Sequence, residues 1–542
     1  MLKKIFQHLF LFVIPIFILI ASFFLRVASG PYWLSINSDP SYQYLINGLY
    51  LVKGVVPELV QHPGTFLQIL FYGLISLLNI GRPIAEVIRN VLIDPEFYLR
   101  AMFILLSLLN FFSLTALGMY VYRKMQDKIM AILAQVPVLS LLILKSARST
   151  DFILPVVANV SPDVLLISIV NFFNFCFLKI FFEEDKKNYF IVSCWALVSG
   201  LGLATKFTFL PLLIIPLIVL SWRKKLLFFL LFGCGFLLGT FPILSKYSVM
   251  GDWVFNLMRH SGIHGGGSVN IIDLHQFSLN WKTIFIEYFL YVFLLIIAFI
   301  LVLKNILSKN FNKATLFLLA SSIAIFSQFI IIAKHYGPQY FVPGIGLYSS
   351  FFVFIYLIAT QGGIISRRSV ILFILIFCSS LIVATAVYYR KSASLSRQVQ
   401  LFHEKTCSQY SECIFIKYYR SSGIEDALAF ADGWNLAPHL SKELSLLYPN
   451  KFYFNVWGHD IKNFSSRIFA NDILSQSPCV LFIGSSYNFS QSPHTVRLLE
   501  KGPVESVYLL TSTTEKQSVM LFMAAGQSFF NRNYEKALVF AL

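Results

Sequence analysis

Apolar runs of about twenty residues recur along this chain, each long enough to cross a hydrocarbon core of ~30 Å. Backbone inside such a core must satisfy its own hydrogen bonds, so these runs fold as helices. Charged residues make up only 13% of the 542 residues, about half the share of a water-exposed domain. The chain therefore reads as an α-helical polytopic membrane protein. A soluble enzyme, a disordered scaffold and a nucleic-acid-binding domain are excluded. The net charge of +17 has the same origin, because Lys and Arg collect in the cytoplasmic loops of membrane proteins.

The first run, Ile5 to Leu25, follows Lys3 and Lys4 as a signal sequence would. It is longer than the roughly 7–15-residue core of a signal peptide, and no small-x-small cleavage site follows. It reads as a retained first helix with a cytoplasmic N-terminus. Hydropathy places about 11 spans, at 5–26, 98–121, 129–147, 163–182, 189–205, 207–221, 226–244, 283–303, 315–333, 340–360 and 369–388. The inward turns then carry Arg123, Lys124 and Lys128; Lys186 and Lys187; Arg223, Lys224 and Lys225; Lys304, Lys309 and Lys313; and Arg367 with Arg368. Every inward turn is basic, and one miscounted helix would invert all later loops.

The scheme divides the chain into a transmembrane domain, 1–390, and an extracytoplasmic (periplasmic) α/β domain, 391–542. Two further regions face outward: a long first loop at 27–97 and a Gly- and His-containing loop at 245–282. In the first loop, 41–53 and 64–78 are apolar but interrupted by Pro57, Pro63 and Gly64, and read as helices lying at the interface. A spanning 64–80 would instead put the later basic turns outside. In the C-terminal part, Lys451–Trp457 and Cys479–Gly484 read as strands, and Gly423–Ala431 and Pro438–Leu447 as helices. No internal repeat is evident, which weighs against transporters built from duplicated halves.

Cys176, Cys194, Cys234 and Cys378 fall in spans, where a thiol is a small apolar filler. Cys407, Cys413 and Cys479 fall in the outer domain, where disulfides persist. A Cys407–Cys413 bridge closing a short loop is the expected pairing, with Cys479 in a strand.

Ionisable groups at helix ends carry the chemical information, since a charge near hydrocarbon needs a reason to be there. Asp39, in Asn37-Ser38-Asp39-Pro40-Ser41-Tyr42, is the sole acid before Glu58. It is placed to N-cap a helix beginning at Pro40. That geometry does not exclude a catalytic role, since a carboxylate at the membrane surface with a raised pKa can serve as a general base. Gln61-His62-Pro63-Gly64 follows, and Arg100 heads the second span. Alone, His62 reads as a surface histidine and Arg100 as an interfacial anchor.

In sequence order, these residues resemble the GT-C superfamily of integral-membrane glycosyltransferases. The resemblance is nearest to the protein O-mannosyltransferase and lipid A aminoarabinose transferase branch. There an acid follows the first span, a basic-Pro or His-Pro element follows the acid, and an Arg opens the second span. Ser161-Pro162-Asp163 at the head of a helix is similar to the Pro-Asp of many relatives. Gly200-Leu-Gly-Leu-Ala-Thr-Lys206 resembles a Gly-rich stretch ending in an outer-face Lys. Lys334-His335-Tyr336-Gly-Pro-Gln-Tyr340, followed by Pro343, resembles a late outer loop. The match is colinear over 1–390, and the C-terminal domain carries no family signature. Pro40 stands where close relatives usually have a second acid, and His62-Pro63 where many have Lys-Pro-Pro.

The resemblance implies an inverting glycosyltransferase that moves a sugar from a polyprenyl-phosphate donor to a glycan, lipid or protein acceptor on the outer face. A multi-pass protein of a bacterial inner membrane is the corresponding setting. Such transfer needs a base for the acceptor hydroxyl and stabilisation of the phosphate leaving group. Asp39 is the candidate base, with Glu58 the alternative acid. Arg100, Lys206, His335, Tyr340, His62, Arg148 and Asp163 are candidates for the donor phosphate or substrate. Lys206 also reads as a snorkelling side chain, and Asp163 as a helix cap. No cofactor is implied. The sequence has no Gly-rich phosphate loop and no Asp-x-Asp within a Rossmann-like domain. His260, His264 and His275 are the one conceivable set for a divalent metal. Two other readings stay open: a flippase or transporter of lipid-linked sugars, and a non-catalytic partner in glycan assembly.

Overall fold

The computed structural model describes residues 8–61, 63–145, 155–183, 188–262, 266–417, 422–433, 437–449, 451–455, 460–464, 467–468, 473, 477, 479–484, 494–503 and 506–513. Among these, eight helices are long and apolar enough to cross a membrane: Phe10–Ala28, Pro95–Met125, Pro162–Phe182, Trp222–Arg259, Phe289–Leu307, Lys313–Lys334, Pro338–Thr360 and Arg367–Gln409. Three shorter apolar segments, Lys128–Leu142, Tyr189–Thr205 and Phe207–Val219, occupy the other expected spans. The first loop folds as the helices Ser41–Val52, Thr65–Leu78 and Ile84–Ile93. Thr65–Leu78 has 14 residues, about 21 Å of helix, which is short of a bilayer core.

Small polar side chains fasten the bundle where apolar packing alone gives little selectivity between helices. Gln135 Nε2 donates to the Leu11 carbonyl at 2.9 Å and to that of Leu114 at 3.2 Å. Asn174 Nδ2 donates to the Gly346 carbonyl at 2.8 Å, and Ser350 Oγ donates to Asn174 Oδ1 at 2.6 Å. Gly200 and Gly235 let the helices Tyr189–Thr205 and Trp222–Thr240 touch backbone to backbone. A Cβ at Gly235 would stand 2.6 Å from the Leu197 carbonyl oxygen. Several basic turns interlock at one end of the bundle. Lys124 pairs with Glu183 at 3.0 Å, Arg367 with Asp127 at 2.8 Å, and Lys313 Nζ donates to the Phe181 carbonyl at 2.6 Å.

The last of the eight long helices does not stop at the membrane. Arg367–Gln409 runs for 43 residues, about 65 Å, and ends beside the first strand of a mixed sheet. Its C-terminal part buries Ser392, Ser396, Val399, Phe402, His403 and Thr406 as a stripe of roughly helical period. Ser392 Oγ lies 3.2 Å from Ser29 Oγ at the end of the first helix. The sheet comprises β1 (Ile414–Lys417), β2 (Tyr453–Asn455), β3 (Asp460–Lys462), β4 (Arg467–Ile468), β5 (Val480–Gly484), β6 (His494–Lys501) and β7 (Ser506–Thr513). Their order is β4-β3-β2-β1-β5-β7-β6. β1 pairs in parallel with β2 and β5, and the remaining pairs are antiparallel. The short helices Ile424–Gly433 and Ser441–Leu447 lie between β1 and β2 in sequence.

The disulfide joins Cys413 to Cys479, not Cys407 to Cys413. Ile414 sits opposite Val480 in the parallel β1–β5 pair, so the cysteines preceding them are neighbours, with Cα atoms 4.7 Å apart. Cys407 lies on the long helix, exposed and unbridged. The bridge spans 66 residues of sequence, so Cys413→Ser is expected to weaken this region by about 2–4 kcal/mol. Cys407→Ser should change neither thermal unfolding nor non-reducing gel mobility, the two measurements that check the assignment.

Candidate functional site

The Ser41–Val52 helix has its N-cap at Pro40, one residue beyond Asp39, so the capping position expected for Asp39 belongs to its neighbour. Asp39 itself is half-buried. Ser41 Oγ donates to Asn159 Oδ1, and the Val160 N–H donates to Ser41 Oγ at 3.3 Å. These contacts pin the Asp39 segment to the stretch that leads into Pro162–Phe182. Ser161 holds the N-cap position of that helix without a side-chain hydrogen bond, and Asp163 lies in its first turn.

Asp163 does more than serve the end of its helix. Both of its carboxylate oxygens accept from Lys206 Nζ at 2.8 Å, and both side chains are more than nine-tenths buried. Lys206 stands in extended backbone just past the Tyr189–Thr205 helix. Its burial removes the snorkelling alternative. Its Nζ also lies 4.9 Å from the centre of the Tyr340 ring, a cation–π contact. A buried pair of this kind survives its desolvation cost only with close geometry, and losing one partner costs about 3–5 kcal/mol.

The first loop closes onto this pair. The Gly64 N–H donates to the Thr205 carbonyl at 3.1 Å, beside Lys206. Gly64 has a left-handed φ of 57°, and a Cβ there would run into the Tyr44 side chain. Burial first, and then the Asp163 and Asp39 charges, hold the Tyr44 hydroxyl above its ordinary range. Tyr340 feels the same two carboxylates. Lys206 thus holds Asp163 and Tyr340 by direct contact, and Tyr44 and Tyr340 both lie within electrostatic reach of Asp39 and Asp163. Gly64→Ala, strained in backbone and in space, is expected to cost about 1–3 kcal/mol. The variant should show a lower detergent-solubilised melting temperature and faster proteolysis of the first loop.

Other candidates are placed elsewhere. Arg100 is exposed and within electrostatic reach of Arg26 and Tyr32. That second polar cluster centres on Glu96, whose carboxylate accepts from the Tyr32 N–H at 3.1 Å, the Trp33 N–H at 3.0 Å and the Tyr42 hydroxyl at 3.0 Å. Arg26 donates to the Ala158 carbonyl at 2.9 Å and stacks 4.0 Å from the Tyr32 ring. His335 sits with Lys334 at the end of Tyr247–Arg259. Its Nε2 is 3.4 Å from the Leu257 carbonyl oxygen, to which Lys334 Nζ donates at 2.6 Å. Glu58 pairs with Lys246 at 2.7 Å and with His439 at 3.0 Å. His62 and Arg148 lie outside the described residues.

The sequence reading missed Tyr44, Asn159 and the Arg26–Glu96 fastening. Arg26 did leave a signal, as a charge inside the C-terminal end of an apolar run. Among the described residues no group of three or more His, Cys, Asp or Glu could hold a metal ion. His260 Nδ1 lies 3.0 Å from the Gly267 carbonyl oxygen, and His264 is outside the described residues.

No protein-family model and no curated protein sequence matches the chain. Among solved structures, the chain is similar to ArnT from Cupriavidus metallidurans bound to undecaprenyl phosphate. Identity is 11% and the TM-score is 0.44, over 92% of this chain and 98% of that one.

Proposed function

We propose that the chain is an inverting glycosyltransferase that takes a sugar from a polyprenyl-phosphate donor and passes it to a hydroxyl-bearing glycan, lipid or protein acceptor. The observation that carries the reading is the buried Asp163–Lys206 pair against Tyr340, with Asp39 of the first loop within electrostatic reach of Tyr340. Asp39 takes the proton of the acceptor hydroxyl. The oxygen attacks the anomeric carbon, the carbon–phosphate-oxygen bond breaks, and the lipid phosphate leaves with the electron pair. A lysine has three N–H donors, and Lys206 directs its ammonium toward both Asp163 oxygens, which fixes its position. In a buried setting such a fixed cation stabilises developing phosphate charge with little reorganisation. The basic turns interlocked at one end support an N-terminus inside and the site on the outer face. The Cys413–Cys479 bridge supports an oxidising compartment for the C-terminal domain.

The transporter reading fits less well, because the charges grouped here lie at helix ends rather than along a path at mid-membrane. The test is transfer of radiolabelled sugar from a panel of polyprenyl-phosphate sugars in proteoliposomes supplied with membrane and glycan acceptors. Transfer from one donor above the lipid-only background is the expected result. Sugar moved across the bilayer without a new glycosidic bond would overturn the reading.

A further inference from the structure

The helix Ile424–Gly433 of the C-terminal region packs against Ser41–Val52 and against the turn Ile36–Ser38, the segments on either side of Asp39-Pro40. Asp432, fully buried in that helix, is the centre of the contact. Its Oδ1 accepts from the Tyr50 hydroxyl, from the His439 N–H at 3.3 Å and from the Leu440 N–H at 3.2 Å. Its Oδ2 is buried with no hydrogen-bond partner among the described residues. A buried carboxylate oxygen left this way disfavours the ionised form.

We infer that Asp432 is a proton-operated positioning residue, whose neutral carboxyl docks the Ile424–Gly433 helix on Ser41–Val52 and so sets the segment that carries Asp39. The effect on transfer rests on the reading of Asp39 given above; the docking does not. The charged groups that face this contact come from several elements. From the first loop there are Tyr50, Lys53 and Glu58. Lys53 Nζ donates to Glu443 at 2.6 Å and to the His439 carbonyl at 2.7 Å. His439 and Glu443 come from the stretch after the helix, and Lys246 stands behind Glu58. On the far side of the same helix Lys451 pairs with Asp426, and with Glu425 at 3.6 Å. Tyr453 closes on Gly433. Among the described residues only Asp432 combines full burial with an unpartnered oxygen and contact with Tyr50.

Burial raises the Asp432 pKa to about 6 from an ordinary 3.8. A raised acid stabilises the docked state fully below its undocked pKa, and that contribution is lost as the pH rises through about 6. Docking is therefore stronger in acid. The test is hydrogen–deuterium exchange of the 41–52 amides in the full chain in nanodiscs, corrected for intrinsic exchange. The wild type should gain about tenfold protection between about pH 7.5 and about pH 5. Asp432→Asn, neutral at both, should lose that dependence while keeping the helix protected. Should that variant fail to fold, Tyr50→Phe replaces it; the lost hydroxyl donor leaves the docked carboxylate less stabilised, so a steeper pH dependence is then the expected result. A flat wild type, or an unchanged pH dependence in the variant that folds, would overturn the inference. No substrate enters this measurement, so it stands or falls apart from the transferase reading. Where transfer is measured, the variant should change the pH profile of kcat and leave the donor KM in place.

Discussion

Asp39→Asn is expected to lower kcat for sugar transfer by about 10²–10⁴, the usual contribution of a positioned general base. The amide has the same shape as the carboxylate but cannot take the acceptor proton. Since Ser41, Asn159 and Val160 hold the segment from the other side of Pro40, the fold around it should persist. The wild type and variant should therefore have melting temperatures within a degree or two and similar donor affinity. Single-turnover transfer in proteoliposomes, beside equilibrium binding of the donor, makes the comparison. Equal transfer by both proteins would remove Asp39 from the mechanism and turn attention to another acid. Glu58 is a poor substitute in place, because it is already tied to Lys246 and His439.

The second large effect belongs to Lys206. Lys206→Met strands Asp163 as a buried carboxylate and should destabilise the protein by about 3–5 kcal/mol, besides removing the cation offered to the leaving phosphate. Stability and chemistry can be separated with a double variant. Lys206→Met with Asp163→Leu replaces the ion pair by apolar packing, an exchange that is often neutral or stabilising in buried sites. The double variant should melt near the wild type and still transfer no sugar. Thermal unfolding in detergent and the transfer assay are the two readouts. A double variant that melts normally and transfers normally would make Lys206 a structural tie alone.

Most of the spans were legible because hydrophobicity over about twenty residues is a strong and purely local signal. The strand at Val480–Gly484 and the helix Ile424–Gly433 were legible for the same reason, at shorter range. The candidate site was half legible. Asp39, Asp163, Lys206 and Tyr340 could be singled out one by one, each as a polar group at the end of an apolar run. Their partners could not. Nothing local to Lys206 says that Asp163, 43 residues earlier, supplies the counter-charge. Nothing local to Cys413 says that a parallel strand brings Cys479 beside it. Arg100 and His335 have the same local character as Lys206, yet the packing puts them in other contacts. That the last helix continues beyond the span at 369–388 was not legible, because hydropathy falls at Arg390 and Lys391, whereas the buried stripe from Ser392 to Thr406 shows only once the partners are packed.

That long helix also couples sequence length to angle. A flexible linker would let the sheet adopt many headings, and an added residue would do little beyond lengthening the tether. In an unbroken helix each residue turns whatever follows by about 100° and lifts it by about 1.5 Å. The heading of the seven-stranded sheet is therefore counted out by the residues between the membrane and Gln409. Whole turns preserve that heading and fractions of a turn do not. Divergence in this stretch should thus be quantised, with substitutions tolerated on the exposed side and insertions admitted in steps of about seven, two turns at a time.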